Sequence, residues 1–354
     1  MTSGRGAPGV VVRALGVPIG IRAADGDVER LRRQWSRALT DQPPQAVVDL
    51  GPFDSHDDVS HDYAVTSRVT LAALEATAGQ RINLHAGAVA DEEGRTLTLI
   101  GASGAGKTTA VRLLARRLGY LSDETTSVDD ALTVHPHPKP LSVITDPADP
   151  LVKQSLSPDD LGLRHPPATA YLHRIVVLHR GEEDSGLVPL TAAHAIGEMV
   201  AQTSSLVRLE HPVRRLADTI DACGGVWALH YREFEERVEE LVQLLDMEAQ
   251  PPPPRLHHPG RSDVAAHDRA WTRTPWLDAV EYDEELVLMV GDRVHVLAGL
   301  GLVLWLALET PGTTDELVSQ VQALWGEHPD AARLVADALD LLTQEGAVQA
   351  PVGR

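Results

Sequence analysis

The 354-residue sequence contains a single cysteine, Cys223, which excludes a disulfide within the chain and a cysteine-based zinc cluster. No apolar run approaches the ~18 residues that a membrane span needs. The N-terminus lacks the long apolar core of a signal peptide. The net charge of −20 disfavours broad contact with nucleic acid or anionic lipid. These features predict a cytoplasmic protein with no membrane or nucleic-acid partner.

Lysine is also scarce, since only three of the 31 basic residues are lysines. They are Lys107, Lys139 and Lys153, and all three fall within one short part of the chain. Two interpretations stay open: chance in an arginine-rich sequence, or a segment that faces a phosphorylated ligand. Arg174 and Arg180 are secondary candidates for the same contact.

Gly101 to Thr108 spells GASGAGKT, which matches G-x-x-x-x-G-K-[ST], and it follows an apolar strand and opens a helix. Glycines let backbone N–H groups approach phosphate oxygens, and the helix adds its positive N-terminal end. Lys107 is expected to contact the β- and γ-phosphates, and Thr108 to offer a hydroxyl to Mg²⁺. The sequence therefore predicts an ATP and Mg²⁺ site whose nucleotide-binding residues are Gly101, Ser103, Gly104, Ala105, Gly106, Lys107, Thr108 and Thr109.

Asp123 and Glu124 follow Lys107 at a distance that one helix and one return strand would span. Such a unit returns to the same sheet, so we expect the two carboxylates beside the phosphates. One could hold Mg²⁺ while the other accepts a proton from the attacking hydroxyl. The predicted metal ligands are thus Thr108, Asp123 and Glu124, and the sequence leaves open which acid is the base.

His85-Ala86, the GASGAGKT loop and Ser122-Asp123-Glu124 together resemble the HPr kinase/phosphorylase family and its relatives. The resemblance covers about residues 80–245 and is strongest over 83–128. It implies a P-loop phosphotransferase that acts on a serine hydroxyl, with His85, Lys107, Asp123 and Glu124 as catalytic residues. Glu124 departs from the family pattern, which has a second Asp, and the family's full C-terminal signature is absent. HPr itself is therefore not the expected substrate.

Several element predictions frame these motifs. One strand is expected over Asn83 to Ala90 and a helix over Tyr231 to Met247. Pro251 to Pro254 predicts a stiff linker, in which His257 and His258 are interpreted as solvated residues rather than metal ligands. The tail is expected to hold a hairpin around Gly291-Asp292 and three helices, the second of them opened by a Thr313/Glu316 capping box.

The tail resembles the PqqD-like family, the peptide recognition elements of ribosomal-peptide biosynthesis, in Trp271 to Pro275, Val294 to Leu300, Trp305, Asp315 to Val318 and Leu341 to Val348. The resemblance implies that a leader peptide adds as a strand to the hairpin, Leu286 to Leu297, beside a third helix from Pro329. Residues 267–350 carry fifteen acidic residues, four arginines and no lysine, which disfavours DNA binding. A purely structural or regulatory tail stays open.

The predicted fold class is α/β: a P-loop, HPr-kinase-like core with a small N-terminal α/β unit and a C-terminal winged-helix-like α+β domain. The expected boundaries are 1–80, 81–248, a Pro-rich linker at 249–266, and 267–354. The expected function is ATP-dependent transfer of a phosphoryl group to a hydroxyl, serine by preference, of a peptide captured by the tail. A small-metabolite kinase, a non-catalytic nucleotide-dependent peptide-binding protein and pyrophosphate as donor are alternatives, and a homo-oligomer is compatible with the sequence.

Overall fold

A computed structural model describes residues 8–49, 58–144 and 153–353 of the chain. Within these ranges no helix combines the length and apolar character required to cross a bilayer. The structure is mixed α/β, as predicted, and it forms two compact units. The first comprises the described residues within Met1–Leu190, Gln202–Ser205 and Cys223–Ala249, and the second those within Thr191–Ala201, Leu206–Ala222 and Gln250–Arg354.

The N-terminal part of the first unit is a three-stranded sheet covered by a long helix. Leu15 and Gly16 both have positive φ (50° and 78°), which closes a two-residue hairpin whose twist suits the strands. The third strand pairs in parallel with the second. The elements are β1 (Val10–Ala14), β2 (Val17–Arg22), α1 (Asp25–Gln34), β3 (Ala46–Asp49) and α2 (Asp58–Thr77).

The next part of the chain contains the central sheet of the first unit, two smaller sheets and four helices, and two of these helices belong to the second unit. These elements are β4 (Ile82–Leu84), β5 (Ala86–Ala90), β6 (Arg95–Ile100), α3 (Lys107–Leu114), β7 (Gly119–Ser122), β8 (Thr126–Val128), β9 (Val134–His135), β10 (Leu141–Ile144), β11 (Lys153–Leu156), β12 (Tyr171–Arg180), β13 (Gly186–Pro189), α4 (Ala192–Gln202), β14 (Thr203–Ser204), α5 (Pro212–Ala222), β15 (Val226–Tyr231) and α6 (Val238–Leu244).

Six strands form the central sheet in the order β13-β15-β12-β6-β5-β7. The pairs β6/β12 and β12/β15 are parallel, whereas β5 runs antiparallel to both of its neighbours. The parallel strands are apolar and buried, and α3 and α6 contribute Val111, Leu114, Leu241 and Leu244 to the same core. This burial on both faces is the usual environment of parallel strands.

Two predicted elements of the first unit are wrong. The single strand expected over Asn83 to Ala90 is two strands, because β4 pairs with β8 and β14 whereas β5 joins the central sheet. The helix expected over Tyr231 to Met247 is shorter, because Val226–Tyr231 pairs in parallel with β12 and a 3₁₀ turn at Phe234–Arg237 precedes α6. In both places long-range strand pairing overrides the local pattern.

The tail contains the expected hairpin and three helices, with further strands ahead of them. A four-stranded antiparallel sheet has the order β16-β18-β19-β20, and Thr313 and Glu316 form the predicted capping box at the second helix. The elements are β16 (Leu256–Arg261), β17 (Thr272–Arg273), β18 (Trp276–Glu281), β19 (Glu285–Val290), β20 (Arg293–Ala298), α7 (Gly299–Ala307), α8 (Thr314–Trp325), α9 (Ala331–Gln344) and β21 (Val348–Gln349).

The strand β16 replaces part of the linker predicted at 249–266. It pairs with β18 along one edge of the sheet, and an edge position tolerates Pro259 because that residue has no N–H to donate. His257 and His258 are not solvated linker residues: their Nε2 atoms each lie 2.6 Å from a carboxylate oxygen, of Asp278 and Glu281 respectively.

The two units also divide the chain differently from the predicted boundaries. Residues of the predicted 1–80 domain belong to the same compact unit as the central sheet, while α5 belongs with the tail. Within the first unit, the contact between residues 1–80 and the rest of the unit is partly polar. The guanidinium of Arg37 contacts Asp159 at 2.7 Å, and the Thr70 hydroxyl contacts buried His137 at 2.9 Å. Neither pairing has a signal in the local sequence.

Candidate active site

Three chain segments with predicted roles meet at one edge of the central sheet. In the strand register Ala86 lies opposite Ile100, and Ala88 lies opposite Ser122. Because β5 is antiparallel to β6 and β7, its start lies beside the ends of both. The next residues along the chain are His85 before Ala86, Gly101 after Ile100 and Asp123 after Ser122. Neighbouring strands of a sheet lie about 4.8 Å apart, so these three residues are close together. The topology therefore brings the Gly-rich loop and the acidic pair to the same edge, on either side of His85.

The loop between β6 and α3 has the backbone geometry that its glycines permit. Gly104 and Gly106 have φ angles of 86° and 89°, a region that residues with a side chain rarely adopt. The Tyr231 hydroxyl donates a hydrogen bond to the carbonyl of Ala105, and a Cβ at position 106 would lie 2.7 Å from that hydroxyl oxygen. Tyr231 thus braces the loop from β15, a contact that the sequence did not indicate.

Lys107 is buried at the first position of α3, and its ammonium group turns back over the loop. Nζ donates to the carbonyl oxygens of Gly101 at 2.6 Å and Ala102 at 3.3 Å. Burial lowers the pKa of Lys107 below its usual value. The other predicted contact residues are more open: Thr108 is half-buried, whereas Ser103, Gly104 and Thr109 are exposed.

The two acids after β7 occupy different environments. Asp123 is only 6% exposed, and the buried Tyr120 hydroxyl donates to its Oδ1 at 3.1 Å. The Glu124 side chain is 41% exposed. The turn that presents them is held by the Ser122 hydroxyl, which accepts hydrogen bonds from two following backbone N–H groups. One carboxylate is therefore inside the protein and the other faces solvent.

Lys139 lies between the two acids. Its Nζ is 3.1 Å from Oδ1 of Asp123 and 3.2 Å from Oε2 of Glu124, and the residue is only 5% exposed. Burial by itself lowers the pKa of Lys139, but the two carboxylates outweigh burial and raise it. Lys139 was a secondary candidate from the sequence, and the structure places it in direct contact with the acidic pair.

His85 is exposed at the break between β4 and β5. The backbone N–H of His85 donates to the backbone carbonyl of Gln202 at 2.7 Å. The backbone N–H of Ala86 donates to the backbone carbonyl of Glu124 at 2.9 Å. Burial and the Lys107 charge lower the pKa of His85, against the opposing effect of the two carboxylates. The imidazole thus lies within electrostatic range of the loop lysine and of both acids.

The remaining candidates differ in outcome. Arg174 is buried, and its guanidinium donates to the backbone carbonyls of His173, Cys223, Leu244 and Met247, so it has a structural role rather than the predicted phosphate contact. Arg180 is exposed at the end of β12, where its Nε donates to the carbonyl of Arg232. The side chain of Lys153 lies outside the described residues.

The donor set fits a magnesium–nucleotide complex. The Thr108 hydroxyl and the carboxylates of Asp123 and Glu124 are hard oxygen ligands of the kind that Mg²⁺ takes, usually with several waters retained. The loop amides, the N-terminal end of α3 and the Lys107 ammonium are the groups that bind phosphate in such loops. No protein-family model matches this chain, and no curated protein matches it.

Proposed function

We propose that this chain is an ATP-dependent phosphotransferase that phosphorylates a hydroxyl, serine by preference, of a peptide held by its tail. The observation that carries the proposal is the convergence of the GASGAGKT loop, the acidic pair and His85 at one sheet edge. The register of β5 with β6 and β7 sets this convergence. A strand-loop-helix with Lys107 and Thr108 at its helical end is the expected support for a triphosphate.

The phosphates are bound by the loop amides and Lys107, and Thr108 holds the metal. When bound, Mg²⁺ neutralises the charge that develops on the transferred phosphoryl group. Lys107 must leave the carbonyls of Gly101 and Ala102 to reach a phosphate oxygen, and its flexible stem permits this. Neutral His85, exposed at the same edge, donates a hydrogen bond to the phosphate or to the acceptor.

The different burial of the acids supports different roles. The general base must reach the substrate hydroxyl that receives the phosphoryl group, so we assign this role to the more exposed Glu124. Asp123, fixed by Tyr120 and Lys139, takes the metal side. Glu124→Gln is then expected to abolish transfer while Mg·ATP affinity stays near that of the unaltered protein, whereas Asp123→Asn lowers that affinity.

The tail supports peptide capture through an open sheet edge. The expected edge, Leu286 to Leu297, needs revision because β19 lies inside the sheet and, of the two hairpin strands, only β20 is at an edge. An open strand can pair with an extended peptide through main-chain hydrogen bonds. Val296 is exposed on β20, Leu334 and Leu341 are exposed on α9, and His295 lies 3.4 Å from Glu345 at the end of α9.

The test measures transfer from labelled Mg·ATP to a displayed library of random serine-containing peptides. Lys107→Ala is expected to reduce transfer at least about 100-fold, because it removes a charge that acts on the transition state. Arg116→Ala, an exposed cation just after α3, is the matched control and should retain activity within about twofold. Peptide retention by the tail should be unchanged in both variants.

Equal loss of transfer and peptide retention in Lys107→Ala would contradict the division of labour between loop and tail. Transfer only to small hydroxylated metabolites would favour a metabolite kinase, and ATP binding without turnover would favour a nucleotide-dependent peptide-binding protein. A flat calorimetric response to Mg·ATP and to pyrophosphate would refute nucleotide chemistry altogether.

A further inference from the structure

Three metal-ligating side chains converge in the second unit, away from the Gly-rich loop in sequence. His211 immediately precedes α5, His257 lies on the edge strand β16, and Asp278 lies on β18. One ligand atom from each lies within 4.8 Å of the others. Asp278 Oδ1 is 2.6 Å from Nε2 of His257 and 3.8 Å from Nδ1 of His211. The two imidazole rings are 5.0 Å apart between centroids and nearly perpendicular, at 82°.

Asp278 is fully buried, at 0% exposure. Its Oδ2 accepts a hydrogen bond from the backbone N–H of Arg214, in the first turn of α5, at 2.9 Å. That bond orients the carboxylate so that Oδ1 faces both imidazoles. Burial of a charged carboxylate costs free energy unless a cation or hydrogen bonds compensate for the lost water. A metal ion bound between Asp278 and the two histidines would be such a cation. Partners that orient a ligating carboxylate in this way are typical of metal sites.

His211 is held in place by its backbone. Its φ is 47°, a left-handed conformation that is uncommon and strained for a residue other than glycine. Strain of this kind persists only where the surroundings impose it, and it is enriched at functional positions. The imidazole directs Nδ1 towards Asp278, while its side chain remains 41% exposed. The cluster therefore has a buried ligand at its base and an accessible one at its mouth.

The donor types select the class of ion. Imidazole nitrogen suits Zn²⁺ and other late transition metals, whereas Mg²⁺ and Ca²⁺ prefer sites made of oxygen ligands alone. Tetrahedral ligands at Zn²⁺ bond lengths lie about 3.3 Å from one another. The 2.6 Å contact must therefore open and the 3.8 Å contact must close, each by less than about 1 Å, which side-chain rotations supply.

We propose that His211, His257 and Asp278 bind one Zn²⁺ ion or a similar transition metal ion. Water or a further ligand completes its coordination, as in other sites with three protein ligands. The ion fastens the start of α5 to β16 and β18, and so adds a metal link between a helix and the sheet of the same unit. This site is independent of the proposed phosphoryl transfer, and its test does not use that activity.

The test is calorimetric titration of the full-length, metal-free protein with ZnCl₂. The expected result is one tight site per chain, with affinity unaffected by millimolar Mg²⁺. His211→Ala and His257→Ala should each weaken Zn²⁺ binding more than about tenfold. Removing a residue that only hydrogen-bonds to a metal ligand already costs about tenfold, and these two variants remove a ligand itself. Substitution with Co²⁺ should give the visible absorption of a four-coordinate ion.

His258→Ala is the matched control, because His258 lies on the same strand with nearly the same side-chain exposure, 19% against 18% for His257. It should bind Zn²⁺ within about twofold of the unaltered protein. His211→Ala removes a partly exposed side chain, and circular dichroism checks that it folds. Equal weakening by all three variants, competition by Mg²⁺, or several equivalent weak sites spread over the 16 histidines would overturn the proposal.

Discussion

The buried contact between Lys139 and Asp123 gives the sharpest test of the acidic turn. Lys139→Met keeps an unbranched side chain, one atom shorter than that of lysine, and removes the charge. Both residues are about 5% exposed, so the substitution leaves the Asp123 carboxylate buried with the Tyr120 hydroxyl as its remaining side-chain partner. Breaking a buried ion pair by removing one partner destabilises proteins by about 3–5 kcal/mol. Glu124 is the lesser partner of Lys139, because its side chain is 41% exposed and water screens its charge.

The assay is urea unfolding of Lys139→Met, Asp123→Asn and the double variant at neutral pH. We expect Lys139→Met to lower the free energy of unfolding by about 3–5 kcal/mol. Adding Asp123→Asn should restore part of that loss, since the unpaired charge is then gone. Arg116→Met, an exposed cation, should change stability by less than about 0.5 kcal/mol.

The pH dependence gives a second readout of the same pair. The folded-state pKa of Lys139 is raised above its unfolded value, so its stabilising effect is complete below about pH 10 and is lost as pH rises through the higher folded pKa. A variant as stable as the unaltered protein, or a double variant whose losses simply add, would refute the interpretation.

Two further predictions concern stability. Thr313→Ala removes the hydroxyl that accepts from the N–H of Glu316, so we expect a loss of about 1 kcal/mol in urea unfolding of the tail, and no change would show that the capping box is not stabilising. Burial, followed by the Lys139 charge, lowers the pKa of His137 to about 3, so between pH 6.5 and that value the unfolded chain takes up a proton that the folded protein does not. Stability should therefore fall with decreasing pH by up to about 1.4 kcal/mol per unit from this residue. His137→Gln, which can still bond Thr70, should flatten that slope, and an unchanged slope would contradict the assignment.

The features that the sequence predicted well depend on residues close together in the chain. The hairpin at Gly291-Asp292 and the capping box of Thr313 and Glu316 are confirmed by the structure. The strand, loop and helix around Lys107 also lie where the motif places them, although the ligand that they are expected to bind stays a prediction. Turn chemistry, capping and helical periodicity act over a few residues, so the local sequence determines them.

Tertiary structure alone decided which of these segments meet. The strand β5 lies between β6 and β7, which puts His85 between the loop and the acids, and nothing near His85 encodes that pairing. Lys139 reaches Asp123 from a proline-rich segment, and His211 reaches Asp278 across more than sixty residues. Such contacts depend on strand pairing and burial between distant segments. No local stretch of the chain is therefore sufficient to predict them.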